Sequence, residues 1–123
     1  MIPLDKAIEM MAQVKGELRS STAIISPTVM SEQMMRLALY TGIIDEYLAE
    51  CEKEYDVELA RKIAEYMKQD YKVSPAETRA KMDLAETKGL IDYLTRISAS
   101  SWRQVGVIQS RINHLKTESQ TTL

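Results

Sequence analysis

The sequence predicts an all-α protein, and three observations support this. Helix-forming residues dominate its 123 residues, which include only 4 Gly and 3 Pro. Two long stretches, about 29–69 and 75–117, carry apolar residues at alternating spacings of three and four, the period of a coiled-coil seam. Only residues 70–73 separate them, and so short a connection favours antiparallel neighbours. We therefore expect a long antiparallel helical hairpin, a coiled coil, preceded by a short N-terminal helix in a single domain, 1–123.

The N-terminal helix should occupy residues 3–19, because its apolar residues lie on one face and its charged residues on the other. That face consists of Leu4, Ala7, Ile8, Met10, Met11, Val14 and Leu18. Residues 20–29 then form a linker, in which Ser26-Pro27 favours an extended backbone and the Ile24-Ile25 pair anchors the segment to the body. A short strand or a docking segment is an alternative for this stretch. The helical hairpin follows as residues 30–118.

The second helix should run from near residue 29 to about residue 69. Its seam consists of Met30, Met34, Leu37, Thr41, Ile44, Leu48, Cys51 and Tyr55, and continues at Leu59, Ile63 and Tyr66 or Met67. The four-residue steps after Tyr55 form a stutter, which locally relaxes a left-handed supercoil. Asp56 is also a good helix cap, so a break at 55–57 is an alternative. A second apolar stripe, formed by Met35, Leu39, Ile43 and Tyr47, suggests that this helix contacts two partners.

The third helix should begin at Ser74-Pro75-Ala76-Glu77, which has the sequence of a capping box with Pro at the first helical position. Its seam consists of Ile91, Leu94, Ser98, Ser101, Val105, Ile108, Ile112 and Leu115. Together the two long helices offer more apolar surface than one short helix can cover. We therefore expect a homo-oligomer that forms through the seam of helix 75–117.

The formal net charge of −2 conceals an uneven distribution. Residues 1–60 contain 5 Lys/Arg and 11 Asp/Glu, a charge of −6, whereas residues 61–123 contain 11 and 7, a charge of +4. Such halves attract each other head to tail, or the basic half serves a polyanion. Two solvated helix faces of opposite sign are the simpler explanation.

Enzymatic chemistry has little support in this sequence, and we expect no catalytic residue, cofactor or metal. The one His and the one Cys fall in different predicted helices, and no Gly-rich phosphate loop, H-E-x-x-H or C-x-x-C motif is present. Cys51 lies on the seam of the second helix, where we expect a small buried apolar residue. His114 lies beside the seam of the third helix, where we expect it to be exposed or half-buried. Without a signal peptide or an apolar run of about twenty residues, the expected location is the cytoplasm.

The basic residues suggest contact with single-stranded nucleic acid, because cations neutralise phosphates and an aromatic ring stacks on any base. Trp102 adjoins Arg103, and no acidic residue occurs between Tyr93 and Thr117. A second group, which includes Tyr66, interleaves rings and cations near the hairpin turn. The candidate residues are Lys62, Lys68, Tyr71, Lys72, Arg79, Arg96, Trp102, Arg103, Arg111 and Lys116. The alternative is that Trp102 packs against a neighbouring helix and that the cations keep the surface soluble.

The order of these parts resembles the small helical recombination mediators of tailed phages, the UvsY type. The residues that carry the resemblance are Ser100-Ser101-Trp102 and Ile108-Gln109-Ser110-Arg111. It implies a phage protein in a host cytoplasm that binds single-stranded DNA, assembles into rings through its C-terminal helices and helps to load a recombinase. A coiled-coil assembly or adaptor protein that binds no nucleic acid is the alternative.

Overall fold

A computed structural model describes residues 2–20 and 26–121, with the side chains of residues 20 and 119–121 excepted. The regular structure in these ranges is four α-helices: α1 (Leu4–Ser20), α2 (Pro27–Lys68), α3 (Val73–Asp83) and α4 (Ala85–Thr121). The prediction of an all-α protein is therefore confirmed. The Ile24-Ile25 pair of the predicted linker lies outside the described residues.

Helix α2 begins earlier than predicted and is not interrupted. The hydroxyl Oγ of Ser26 accepts a hydrogen bond from the Val29 N–H at 3.3 Å, and its carbonyl accepts one from the Met30 N–H at 3.1 Å. Ser26 is thus the N-cap and Pro27 the first helical residue, where the missing N–H of proline costs nothing. The helix continues to Lys68, so the alternative of a break at 55–57 is excluded.

The turn after α2 shows why the predicted capping box is wrong. Asp70 has a left-handed φ of 68°, and the N–H groups of Asp70 and Tyr71 donate to the carbonyls of Met67 and Tyr66. This is a Schellman motif, which reverses the chain within three residues. As a result α3 begins at Val73, with Lys72 at the N-cap position and no side-chain capping bond.

The predicted helix 75–117 is divided at Leu84, which is a correction to the sequence analysis. Leu84 has φ −103° and ψ 16°, outside helical values, although its N–H still donates to the Ala80 carbonyl at 3.2 Å. The spacing of the buried residues changes at this point. Ala76, Ala80 and Leu84 are four apart, whereas the seam of α4 alternates between three and four. A straight helix cannot keep both spacings on one side.

The chain folds as two compact units: residues 1–45 with 97–123, called here the three-helix unit, and residues 46–96, the hairpin unit. The three-helix unit packs α1 against the first part of α2 and the last part of α4. At its centre the Met11 Sδ atom lies 3.9 Å from the Thr41 hydroxyl and 3.0 Å from the Ser101 hydroxyl. An ion pair of 2.9 Å between Arg36 and Glu17 joins α2 to α1 near the surface.

The hairpin unit consists of the second part of α2, the whole of α3 and the first part of α4. Tyr66 bonds to Asp83, and the ammonium of Lys88 lies 5.8 Å from the centroid of the Tyr55 ring. These contacts show that the chain returns antiparallel to α2. Ala76, Ala80, Leu84, Ile91 and Leu94 are buried, while the facing seam of α2 (Leu48, Cys51, Tyr55, Leu59, Ile63 and Tyr66) is half-buried.

The seam predicted for the third helix is covered within the single chain. Six of its eight residues are buried, and Val105 and Leu115 are half-buried. An oligomer that forms through this seam would therefore have to exchange helices between copies. Within the described ranges, none of the helices is both long enough and apolar enough to cross a membrane.

Candidate nucleic-acid interface

At the turn of the hairpin unit, four of the predicted residues contact one another or a shared carboxylate. The Tyr71 ring meets the Tyr66 ring edge-on, with 5.4 Å between the two ring centroids. The Arg79 guanidinium lies 5.2 Å from the centroid of the Tyr71 ring. Tyr66 donates a hydrogen bond to Asp83, which raises the pKa of that phenol, and Lys62 lies 3.7 Å from the same carboxylate. Tyr71 would have to lose its Arg79 contact before a base could stack on that face.

The remaining cations at the turn are free to meet a phosphate. Lys68 ends α2, Lys72 precedes α3, and both side chains are exposed. Neither has an ion pair with any residue that the structure describes. This end of the hairpin unit therefore offers charge more readily than it offers a stacking surface.

On α4, the indole of Trp102 is held by a hydrogen bond and is partly exposed. Its Nε1–H donates to the Oδ2 atom of Asp45 at 2.8 Å, and the hydroxyl of Ser98, one turn away, donates to the other oxygen of that carboxylate. The side chain is still 42% exposed. Trp102 therefore contacts α2, as the packing interpretation predicts, and is also partly exposed, while its stacking on a base stays a prediction.

Helix geometry separates the cations that the sequence analysis grouped around Trp102. At about 100° per residue, the nine residues from Trp102 to Arg111 turn through about 180°, so these two side chains leave α4 in opposite directions. Arg103 lies about 100° from Trp102, and Lys116 only about 40°. Arg96 is exposed on the same helix but belongs to the hairpin unit. Trp102 and Lys116 therefore share a side of α4, and Trp102 and Arg111 do not.

The side of α4 that carries Trp102 also contains polar residues that the sequence analysis missed. Gly106, Gln109 and Asn113 follow Trp102 at spacings of four, three and four before Lys116, and all are exposed. The Gln109 amide donates to the Asn113 side-chain oxygen at 3.0 Å, and a side chain at Gly106 would meet open space beyond the backbone of its own helix. The spacing alone would have placed these residues with Trp102. We call Trp102, Gly106, Gln109, Asn113 and Lys116 the Trp102 face.

His114 and Cys51, the one histidine and the one cysteine, lie apart from the Trp102 face. His114 is exposed, and its Nε2 lies 3.1 Å from a carboxylate oxygen of Glu118, one turn away. Across the described side chains, no group of three or more His, Cys, Asp or Glu residues is placed to hold a metal ion. Cys51 is half-buried on the α2 seam, where burial raises the pKa of its thiol and the nearby Glu54 and Glu50 raise it further.

The raised pKa predicts that Cys51 reacts slowly with iodoacetamide at pH 8, more slowly than free cysteine, because less of it is thiolate. Replacing Glu50 and Glu54 with Gln should increase the rate several-fold, since a negative neighbour disfavours the thiolate. Glu52→Gln is the matched control and should leave the rate unchanged. Cys51 is the only cysteine, so mass spectrometry of the alkylated chain measures it directly. Reaction as fast as free cysteine would contradict the prediction.

Comparison with family models, with curated proteins and with solved structures gave no match for this chain. The likeness to phage recombination mediators therefore stays a prediction from sequence. The assignment of a binding surface rests on the charges and contacts described above.

Proposed function

We propose that the protein binds single-stranded DNA on the Trp102 face of α4, as a self-associating helical accessory protein of recombination. One observation carries the proposal. Residues 94–116 contain no acidic residue, and this stretch carries exposed cations together with an indole that is hydrogen-bonded to Asp45 and 42% exposed. A surface of this kind attracts a polyanion and offers a base a flat apolar partner.

In the proposed complex, each class of side chain has a separate task. Trp102 stacks on a base of any identity, while Lys116 and the neighbouring Arg103 neutralise phosphates. Gln109 and Asn113 each carry an amide that both donates and accepts, so they bond to bases or sugars without selecting a sequence. Lys116 lies about 21 Å along the axis from Trp102, the reach of a few nucleotides. On the hairpin unit, the exposed Lys68 and Lys72 offer phosphate contacts of their own.

The role in recombination is the part of the proposal that depends on the resemblance. In this proposal the protein works as an oligomer with coiled-coil contacts, and its acidic first half contacts a recombinase or a neighbouring copy. The split of charge, −6 in residues 1–60 and +4 in residues 61–123, supports such a division of tasks. The protein is not an enzyme in this proposal, and its location is the cytoplasm.

The test is a fluorescence-anisotropy titration of a labelled oligothymidine at two salt concentrations. Affinity should fall with salt by about 0.7 in log K per decade for each neutralised phosphate. Trp102→Ala should weaken binding by about 1–3 kcal/mol with little change in that slope, because stacking releases no counterions. Arg103→Ala and Lys116→Ala should each lower the slope. Lys81→Ala, which removes an exposed cation of α3, is the matched control and should change neither.

Two outcomes would count against the proposal. No binding at low salt would remove the nucleic-acid function. Equal binding of duplex and single strand, with no effect of Trp102→Ala, would leave only a general polyanion site, since paired bases are closed to the ring.

An assembly or adaptor protein without nucleic acid is the second candidate. The observation that favours it is the apolar surface still exposed on α2, where Met35 and Leu39 are both more than half exposed. Such surface is typical of a helix that meets a protein partner.

A further inference from the structure

A second line of apolar and small residues runs along α2 on the side opposite its buried seam. It consists of Met35, Leu39, Gly42, Ala49, Val57, Ala60, Ala64 and Met67, called here the outward stripe. At 3.6 residues per turn these residues fall within an arc of about 100°. Gly42 is half-buried and the others are exposed, with Met35 at 67% and Val57 at 63%. All belong to one continuous helix, so their order along the stripe follows from helix geometry alone.

Two charged residues, Glu46 and Lys53, complete the same three-and-four spacing near the middle of the stripe. Both are exposed, and neither forms an ion pair with another described residue. They lie seven residues apart with Ala49 between them. A stripe that is apolar at both ends and carries one charge of each sign near its centre has the pattern of an antiparallel helix interface.

When the outward stripe is paired with a second copy of itself in antiparallel order, charge and size both match. The two-fold axis then passes the midpoint between Ala49 and Glu50. Each residue faces a residue of the other copy, and the two residue numbers of a facing pair add up to 99. The facing pairs are Glu46 with Lys53, Gly42 with Val57, Leu39 with Ala60, and Met35 with Ala64. In these four pairs opposite charges meet twice, and Met35, Leu39 and Val57 each meet a Gly or an Ala. At the ends and centre of the stripe, Met67 falls opposite Glu32 and Ala49 opposite Glu50.

We propose that two copies of this chain associate through their outward stripes, antiparallel about a two-fold axis beside Ala49. A two-fold interface requires a surface that complements itself. On this stripe the charges of Glu46 and Lys53, and the sizes in the facing pairs given above, are complementary in this way. The small residues let two helix axes approach to about 8 Å. Parallel pairing would place Glu46 against Glu46 and Lys53 against Lys53, so the charges select the antiparallel order. This dimer interface rests on the proposed function, because it names the surface through which the protein would self-associate. Its test contains no DNA, so the dimer and the DNA-binding function can fail separately.

The test is the mass of the full chain in solution, measured by sedimentation equilibrium over micromolar concentrations. A dimer has twice the 14.0 kDa of one chain. Lys53→Glu places two Glu pairs across the axis and should weaken dimerisation by about tenfold, as should Glu46→Lys. The double variant exchanges the two charges and should restore the wild-type dissociation constant. Both positions are exposed, and circular dichroism checks that each variant stays helical.

Leu39→Glu tests the apolar part, because it sets a carboxylate against Ala60 of the partner subunit and should abolish the dimer. Val107→Glu, at a similarly exposed position on α4, is the control and should leave the mass unchanged. A wild-type mass of 14 kDa throughout would overturn the proposal. So would a larger assembly that neither Lys53→Glu nor Leu39→Glu weakens, since the copies would then meet elsewhere. Failure of the double variant to recover would reject the antiparallel register.

Discussion

Replacing Ile108 with aspartate should unfold the three-helix unit, whereas the same replacement at Val107 should leave it folded. The two residues are neighbours on α4 with the same helical backbone, but Ile108 is 6% exposed and Val107 is 66% exposed. At Ile108 the change removes buried apolar contacts worth about 2–5 kcal/mol and adds a carboxylate without a partner. The sum approaches the whole stability of a small domain, about 5–15 kcal/mol.

Urea unfolding followed by circular dichroism measures this difference. The unfolding transition of Val107→Asp should stay close to that of the wild type. Ile108→Asp should show less helical signal before any urea is added, because the three-helix unit is already unfolded. Similar transitions for the two variants would show that Ile108 does not lie in the core. A folded Ile108→Asp with reduced mass would instead place this seam between copies of the chain, as the sequence analysis expected.

The buried faces of α1, α2 and α4 were predictable from the sequence because buried residues recur at a regular spacing, whereas the buried face of α3 was not identified. The seam of α4 was identified from its spacing of three and four, and it includes two residues that hydropathy alone would reject. Ser98 and Ser101 are buried because Asp45 and the Met11 sulfur supply partners for their hydroxyls. At these two positions the place on the helix, rather than the polarity of the side chain, determines burial.

The ends of the helices were less predictable because they depend on contacts that local sequence does not record. Ser74-Pro75-Ala76-Glu77 has the sequence of a cap, but the Schellman motif at Asp70 brings the chain into α3 before Ser74 is reached. Glycine is the usual residue at such a left-handed position, and Asp carries a weaker signal for it. No Gly or Pro marks the break at Leu84 either.

The directions in which the candidate site residues leave α4 were predictable from the sequence, but the contacts that hold them were not. The opposite directions of Trp102 and Arg111 follow from nine residues of helix, so the sequence contained that correction. The partner of Trp102 did not appear in it. Asp45 is 57 residues away along the chain, and only the packing of α2 against α4 brings the carboxylate to the indole.

Replacing Asp45 with alanine should destabilise the three-helix unit by about 1.5–3 kcal/mol, since hydrogen bonds to a charged group are worth about that much. The change leaves the hydroxyl of Ser98, which is 7% exposed, without its carboxylate partner, while water can reach the indole N–H of Trp102. Asp56→Ala, at an exposed position of α2, is the matched control. It corrects for the higher helix propensity of alanine and should be neutral or slightly stabilising.

Trp102 is the only tryptophan, so its fluorescence reports the same bond without a label. In Asp45→Ala the released indole should emit at longer wavelength with lower steady-state anisotropy. Asp45→Asn keeps one carbonyl acceptor and should recover part of both signals. If the indole is a stacking platform held ready for a base, Asp45→Ala should also weaken oligothymidine binding, because the ring must then be ordered on contact. Unchanged emission and unchanged stability in Asp45→Ala would show that the bond does not hold Trp102 in solution, and the proposed stacking of the indole on a base would then lose its structural support.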